Sequence, residues 1–126
     1  MKTSLKVLLL VFLCATACGD NMADFGTVIE LKEGKSVTMS DKTVVTLKEI
    51  NDSRCPTTAT CVWEGRADVI LTVTSAGTDY EVGLNELEKV SAALNDYLFE
   101  FIELNPYPET IASNQRSVLK FKISLN

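Results

Sequence analysis

Side chains able to do chemistry cluster in two short stretches of this 126-residue chain. One reads Asn51-Asp52-Ser53-Arg54-Cys55-Pro56 and resumes after Thr60 as Cys61-Val62-Trp63-Glu64-Gly65; the other is Asn105-Pro106-Tyr107-Pro108. A cysteine pair can be a disulfide, a redox couple or half of a metal site. A redox couple usually has Cys-x-x-Cys spacing at a helix start, and five intervening residues fit that poorly. A metal site needs more thiolates or imidazoles than the body offers, and the chain has no histidine. The same absence excludes Ser-His-Asp and Cys-His catalysis and an imidazole pH switch. The 17 carboxylates are scattered over turns and outward positions like a solvated surface, not paired like a glycosidase's acid and base. A chain this small leaves little room for a substrate cleft beside a complete core. No spaced Asp-x-Asp-x-Asp calcium loop occurs. The expectation is a non-enzyme with no catalytic residue, metal or cofactor.

The start of the chain sets the redox environment. Met1 to Lys6 is short and basic, and the apolar run from Val7 through Ala17 covers 11 residues, against about 20 for a membrane span. That is the pattern of a secretory signal peptide, residues 1–17. Ala15-Thr16-Ala17 leads directly into Cys18, and this junction resembles the lipobox of bacterial lipoproteins, although that family more often has Leu where Ala15 stands. The resemblance implies that Cys18 carries lipid as the first mature residue. Gly19, in place of the Asp that retains such proteins at the inner membrane, implies the outer membrane. An ordinary Ala-x-Ala cleavage is the alternative. Residues 18–25 then read as the lipidated cysteine and a tether, and residues 26–126 as one domain.

Cys14 leaves with the leader, so Cys55 and Cys61 remain, and an oxidising compartment makes a disulfide between them the expected state. Closing about 7 residues stabilises by roughly 2.4 kcal/mol on chain entropy. Trp63 is expected to pack over this disulfide as a plug, with an exposed contact residue as the alternative. Arg54 has Asp52, Glu64 and Asp68 as possible partners, tying the loop to a strand start; an anionic ligand is the other reading. Tyr107 lies against Trp63 if their two corners meet. Asp52, Arg54, Trp63, Glu64 and Tyr107 thus form the candidate binding corner.

The elements that must position these residues are strands. Ala67, Val69, Leu71 and Val73 alternate with polar neighbours, Ile70 being the one apolar outlier, and Leu119, Phe121, Ile123 and Leu125 alternate likewise with Lys120, Lys122 and Ser124. Val28 to Lys32 reads as an opening strand, Val37 and Met39 form a hairpin with Val45 and Leu47, and Tyr80, Val82 and Leu84 follow the turn at Ser75 to Thr78. Tyr97 to Leu104, apolar on both sides, reads as a central strand. Asn85 to Leu94 is ambiguous: Asn85 and Glu88 resemble a helix cap, yet Val90 to Leu94 can pair back across Asn95-Asp96, and the strand is preferred. Thr46 to Asn51 is echoed 54 positions later by Glu100 to Asn105, through two similar hairpins or a duplication. Seven to eight short strands predict an all-β fold, an antiparallel β-sandwich of Ig-like architecture, with a small β-barrel as the alternative. The expected core is Ile29, Leu31, Val37, Val45, Leu47, Val69, Leu71, Val82, Phe99, Phe101, Leu119, Phe121 and Ile123.

Asp-Ser-Arg-Cys-Pro, then Cys-x-Trp-x-Gly, then Pro-Tyr-Pro resembles a group of small uncharacterised lipoproteins of Bacteroidetes type, over nearly the whole body from about Phe25. The resemblance implies a β-sandwich and a disulfide between Cys55 and Cys61, and no activity. Without Lys2 and Lys6 the chain carries 10 basic and 17 acidic side chains, a net charge of −7. That surface repels phosphate backbones, so nucleic acid is not an expected partner. The functional expectation is a non-catalytic, envelope-anchored binding or structural module, monomeric, held to the membrane through Cys18 and meeting an envelope protein or glycan. The alternative is a protease inhibitor presenting the clamped 55–61 loop.

Overall fold

The computed structural model describes residues 22–109 and 117–126. The expected signal peptide and Cys18 fall outside the described residues. Within them the chain forms β1 (Met22–Ala23), β2 (Val28–Lys32), β3 (Ser36–Met39), β4 (Val44–Asp52), β5 (Ala67–Ser75), β6 (Thr78–Asn85), β7 (Ser91–Leu94), β8 (Tyr97–Asn105) and β9 (Val118–Leu125). Successive strand side chains point to opposite faces, so the period-two alternation becomes burial. Ala67, Val69, Leu71 and Val73 of β5 and Leu119, Phe121 and Ile123 of β9 all face the core. Every expected core residue is buried, and Met39, Ala67, Val73, Leu84 and Leu104 complete the set.

Two sheets pack face to face, a five-stranded one in the order β1-β3-β4-β5-β6 and a four-stranded one in the order β2-β9-β8-β7. The fold is a β-sandwich, not a closed barrel. The two-residue β1 runs parallel to β3; every other pairing is antiparallel. Apart from β1, the strand order follows the chain, with β9 returning beside β2. Such an order could close, but the ladder is interrupted from β2 to β3 and from β6 to β7, where the chain changes sheets. The resemblance to immunoglobulin domains is therefore one of layered architecture, while the connectivity is a meander.

The second interruption explains the ambiguous segment. The Asn85 side-chain oxygen accepts the backbone N–H groups of Leu87, Glu88 and Lys89 at 3.0, 2.7 and 2.9 Å. The capping chemistry is present, but it closes a turn instead of starting a helix, because the chain must reverse into β7. That strand pairs Ser91 with Glu100 and Leu94 with Tyr97, around the Asn95-Asp96 turn.

Tyr97 to Leu104 lies inside the sheet, and its doubly apolar pattern has a specific origin. A bulge between Phe101 and Glu103 shifts the phase of β8, so Phe99, Phe101 and Leu104 are buried while Ile102 turns outward. β4 carries the same device between Leu47 and Glu49. The two bulges are 54 residues apart, matching the echo in the sequence. Thr43 and Tyr97, also 54 apart, hydrogen-bond through their hydroxyls at 3.2 Å between the sheets.

From Met22 onward, the stretch expected to be a tether is seated on the body. β1 pairs with β3, and the Phe25 ring stacks on Tyr97 with centroids 5.7 Å apart. Covering an aromatic ring is reason enough for this segment to dock. Ala23 and Phe25 thereby pack against the core.

Candidate functional site

The corner begins at the β4 bulge. Before it, Val45 and Leu47 face inward; after it, the inward phase passes to Ile50 and Asp52. Asp52 thereby arrives at the end of the sandwich beside Arg54, which is only 7% exposed. The guanidinium clasps the carboxylate with Nε at 2.8 Å from Oδ1 and Nη2 at 2.7 Å from Oδ2. Nη1 donates to the Leu104 carbonyl at 3.0 Å and Nη2 to the Pro106 carbonyl at 3.3 Å. The Tyr107 ring covers the cation, its centroid 4.7 Å from Cζ. Hydrogen bonding to Asp52 outweighs burial and pushes the guanidinium pKa further up.

Arg54 thus fastens the end of β4 in one sheet to the end of β8 in the other. Of the three carboxylates open to it on sequence grounds, Asp52 is the partner. Asp68 pairs with Arg66, with Nε 3.0 Å from Oδ2, and Glu64 is exposed, contributing its backbone carbonyl to the Cys55 N–H at 3.2 Å. With its donors directed at Asp52 and two carbonyls, Arg54 is not displayed to an anionic ligand.

Cys55 and Cys61 form the disulfide, their Cα atoms 6.0 Å apart. The loop it closes is a tight turn in which the Ala59 N–H donates to the Pro56 carbonyl at 3.1 Å. It is also tied backward: the Thr57 N–H donates to the Pro108 carbonyl at 3.1 Å and the Thr58 hydroxyl to the Glu109 carbonyl. The two arms of the corner are joined by rungs. The Ser53 N–H and hydroxyl both reach the Arg66 carbonyl, at 2.9 and 2.8 Å, and the Ser53 Oγ accepts the Arg66 N–H at 3.1 Å. The Cys55–Glu64 bond is the last rung, so Val62 and Trp63 lie beyond it.

This placement corrects the expectation for Trp63. Its side chain does not plug the sandwich; it is 83% exposed, beside Val62 at 99%. The space behind the disulfide loop is taken by the chain at Pro108 and Glu109, and the rungs project the tip outward. Tyr107 likewise lies on Arg54 instead of meeting Trp63. The structure therefore brings Asp52, Arg54 and Tyr107 together as a buttress, pairs Cys55 with Cys61, and sets Trp63 and Glu64 apart on the exposed rim.

Sequence reading missed the neighbours that widen this rim. Arg66 Nη1 reaches Glu88 at 2.8 Å, and the Ala67 N–H donates to the Glu86 side chain at 3.3 Å. These bonds dock the Glu86–Val90 turn beside the corner and bring up Leu87, also exposed. A shallow groove of about 240 Å³, lined in part by Arg66, Asp68, Ile70, Gly83, Glu88 and Lys89, adjoins it. The outward positions of Arg66, just before β5, and Asp68 within it were legible from the alternation that starts there; the approach of Glu88 had no local signal. Among the described residues, no group of three or more Cys, Asp or Glu side chains is placed to hold a metal ion. In comparisons with known proteins, the chain matches no family model, no curated protein and no solved structure.

Proposed function

We propose that this chain is a non-catalytic lipoprotein of the bacterial cell envelope, anchored through lipid on Cys18, whose clamped corner binds an envelope protein or glycan. The observation that carries this reading is the exposure of Trp63. A large aromatic ring held in water loses favourable burial, and rigid exposed aromatics are the usual anchors of binding surfaces. The corner beneath it is fixed by the disulfide, the Arg54–Asp52 clasp and the Ser53–Arg66 rungs, so little ordering cost remains when a partner docks. A disulfide agrees with an oxidising compartment, and the basic, apolar and small-residue succession before Cys18 supports export to the envelope.

The inhibitor reading has less in its favour. Residues 56–59 make a turn in which the Thr57 and Ala59 N–H groups are already committed, whereas strand-like recognition needs extended, unpaired backbone. The test compares wild type with Trp63→Ala in capture of partners from envelope extract and in co-sedimentation with envelope polysaccharide. The expected outcome is loss of the captured species in the variant with unchanged thermal stability. Identical capture by both proteins would remove the corner as the binding surface.

A further inference from the structure

The strands that border the two sheets are not equally protected. An open strand edge is a template for another strand, and charge or a covering segment normally blunts it. β3 is covered by β1. β2 carries Glu30 and Lys32, and β6 carries Asp79 and Glu81. β7, Ser91-Ala92-Ala93-Leu94, has no charge and, among the described residues, no covering strand. The internal echo sharpens the contrast. β3 and β4 recur as β7 and β8, and the edge that β1 fills on β3 is the one left open on β7.

The free groups of this edge follow from its ladder. The Phe101 N–H donates to the Val90 carbonyl at 2.7 Å. Bonding alternates along an antiparallel pair, so Val90, Ala92 and Leu94 turn their backbone groups toward β8, while Ser91 and Ala93 turn theirs outward. Side chains alternate in the same rhythm. Ala92 and Leu94 pack against the core, Val90 is 44% exposed in the same phase, and Ser91 and Ala93 are small and exposed.

We infer that this edge pairs with the same edge of a second copy of the chain, in an antiparallel two-fold ladder centred on Ala92. That register uses every outward group: Ser91 exchanges both its bonds with Ala93 of the second copy, and Ala93 does the same with Ser91. It sets Ala92 against Ala92 and Val90 against Leu94, so the apolar inner phase continues across the axis. It also brings Lys89 opposite Asn95, next to Asp96. The single chain expected from sequence thereby becomes half of an isologous dimer, with its two Trp63 corners at opposite ends. The pairing rests on backbone geometry and is independent of lipid on Cys18; an anchored dimer would run its strands along the membrane, one tether at each end.

The test uses the full chain carrying Cys18→Ser, which leaves no acylation site. Sedimentation equilibrium between about 1 µM and 1 mM, a span that covers weak self-association, should show the mass rise from one chain to two. Ala93→Lys sets like charges near the axis, and Ala93→Pro removes an outward N–H that the single chain does not use. Both variants should stay single while keeping the far-ultraviolet spectrum of wild type, and Glu30→Gln on the β2 edge should dimerise as wild type does. Opposed Cα atoms of a non-bonded pair stand about 4.5 Å apart, within reach of a disulfide. Oxidation should therefore link two Ala92→Cys chains and leave Leu98→Cys chains unlinked. A wild type still single at about 1 mM, a dimer that both Ala93 variants preserve, or Ala92→Cys chains that do not link would overturn the pairing.

Discussion

At Gly65 the backbone has φ +55°, and an added Cβ would lie 1.8 Å from the Ser53 carbonyl oxygen. That oxygen belongs to the backbone of the facing arm, which the Ser53–Arg66 rungs hold in place, so it has little freedom to retreat. Gly77 is the instructive contrast: φ is +79°, but a Cβ there meets nothing within 4 Å. Gly77→Ala should cost about 1 kcal/mol, the penalty of a left-handed backbone alone. Gly65→Ala adds a backbone clash and should cost about 3 kcal/mol or open the corner. Urea denaturation measures both; equal losses would show that the corner yields freely.

Arg54 works at the level of elements, because it joins β4 to β8 and not merely one residue to another. Arg54→Ala leaves Asp52 and the Leu104 carbonyl without their partner at a largely desolvated site, and should cost about 3 kcal/mol. The expected signature is a lower urea midpoint at unchanged slope; a loss below about 0.5 kcal/mol would place the clasp among ordinary surface pairs. The strands themselves were legible because alternation is a local signal: Val28–Lys32 and the inward set of β5 follow directly from it. The bulges were legible only as breaks in that signal, the consecutive polar pair Lys48-Glu49 in β4 and the apolar but outward Ile102 in β8. The partner of Arg54 was legible only as one of three carboxylates, and its carbonyl acceptors lie some 50 residues away, at the end of a strand whose position depends on the whole sandwich. The placement of Trp63 was misread for the same reason. Whether a ring covers a disulfide depends on what else fills that space, and the chain at Pro108 and Glu109 arrives there from distant sequence.

Across the whole molecule, the end opposite the corner is closed by a clasp between the sheets. The Tyr97 hydroxyl donates to Asp41, which also accepts the Thr43 N–H at 3.0 Å. Burial pushes the Asp41 carboxyl pKa up, but the hydrogen bonds from Tyr97 and Thr43 prevail and hold it below its ordinary value. The same bond to Asp41 holds the Tyr97 phenol above its ordinary value. A depressed carboxyl lends stability above its unfolded pKa, lost as pH falls through the folded one; a raised phenol lends stability below its unfolded pKa, lost as pH rises through the folded one. Melting temperature should therefore fall below about pH 4 and above about pH 10, and Tyr97→Phe should flatten both limbs. Parallel curves for the two proteins would dismiss the clasp as a contributor. The meander that brings β9 back beside β2 also gives the molecule a direction-dependent mechanical strength. Force applied between Gly26 and Ile123, which hydrogen-bond beside the start of β2, peels the β2–β9 ladder one rung at a time. Force applied between Met22 and the tryptophan tip runs along the strands and loads many rungs at once, so tension along that line is the kind the sandwich is built to bear.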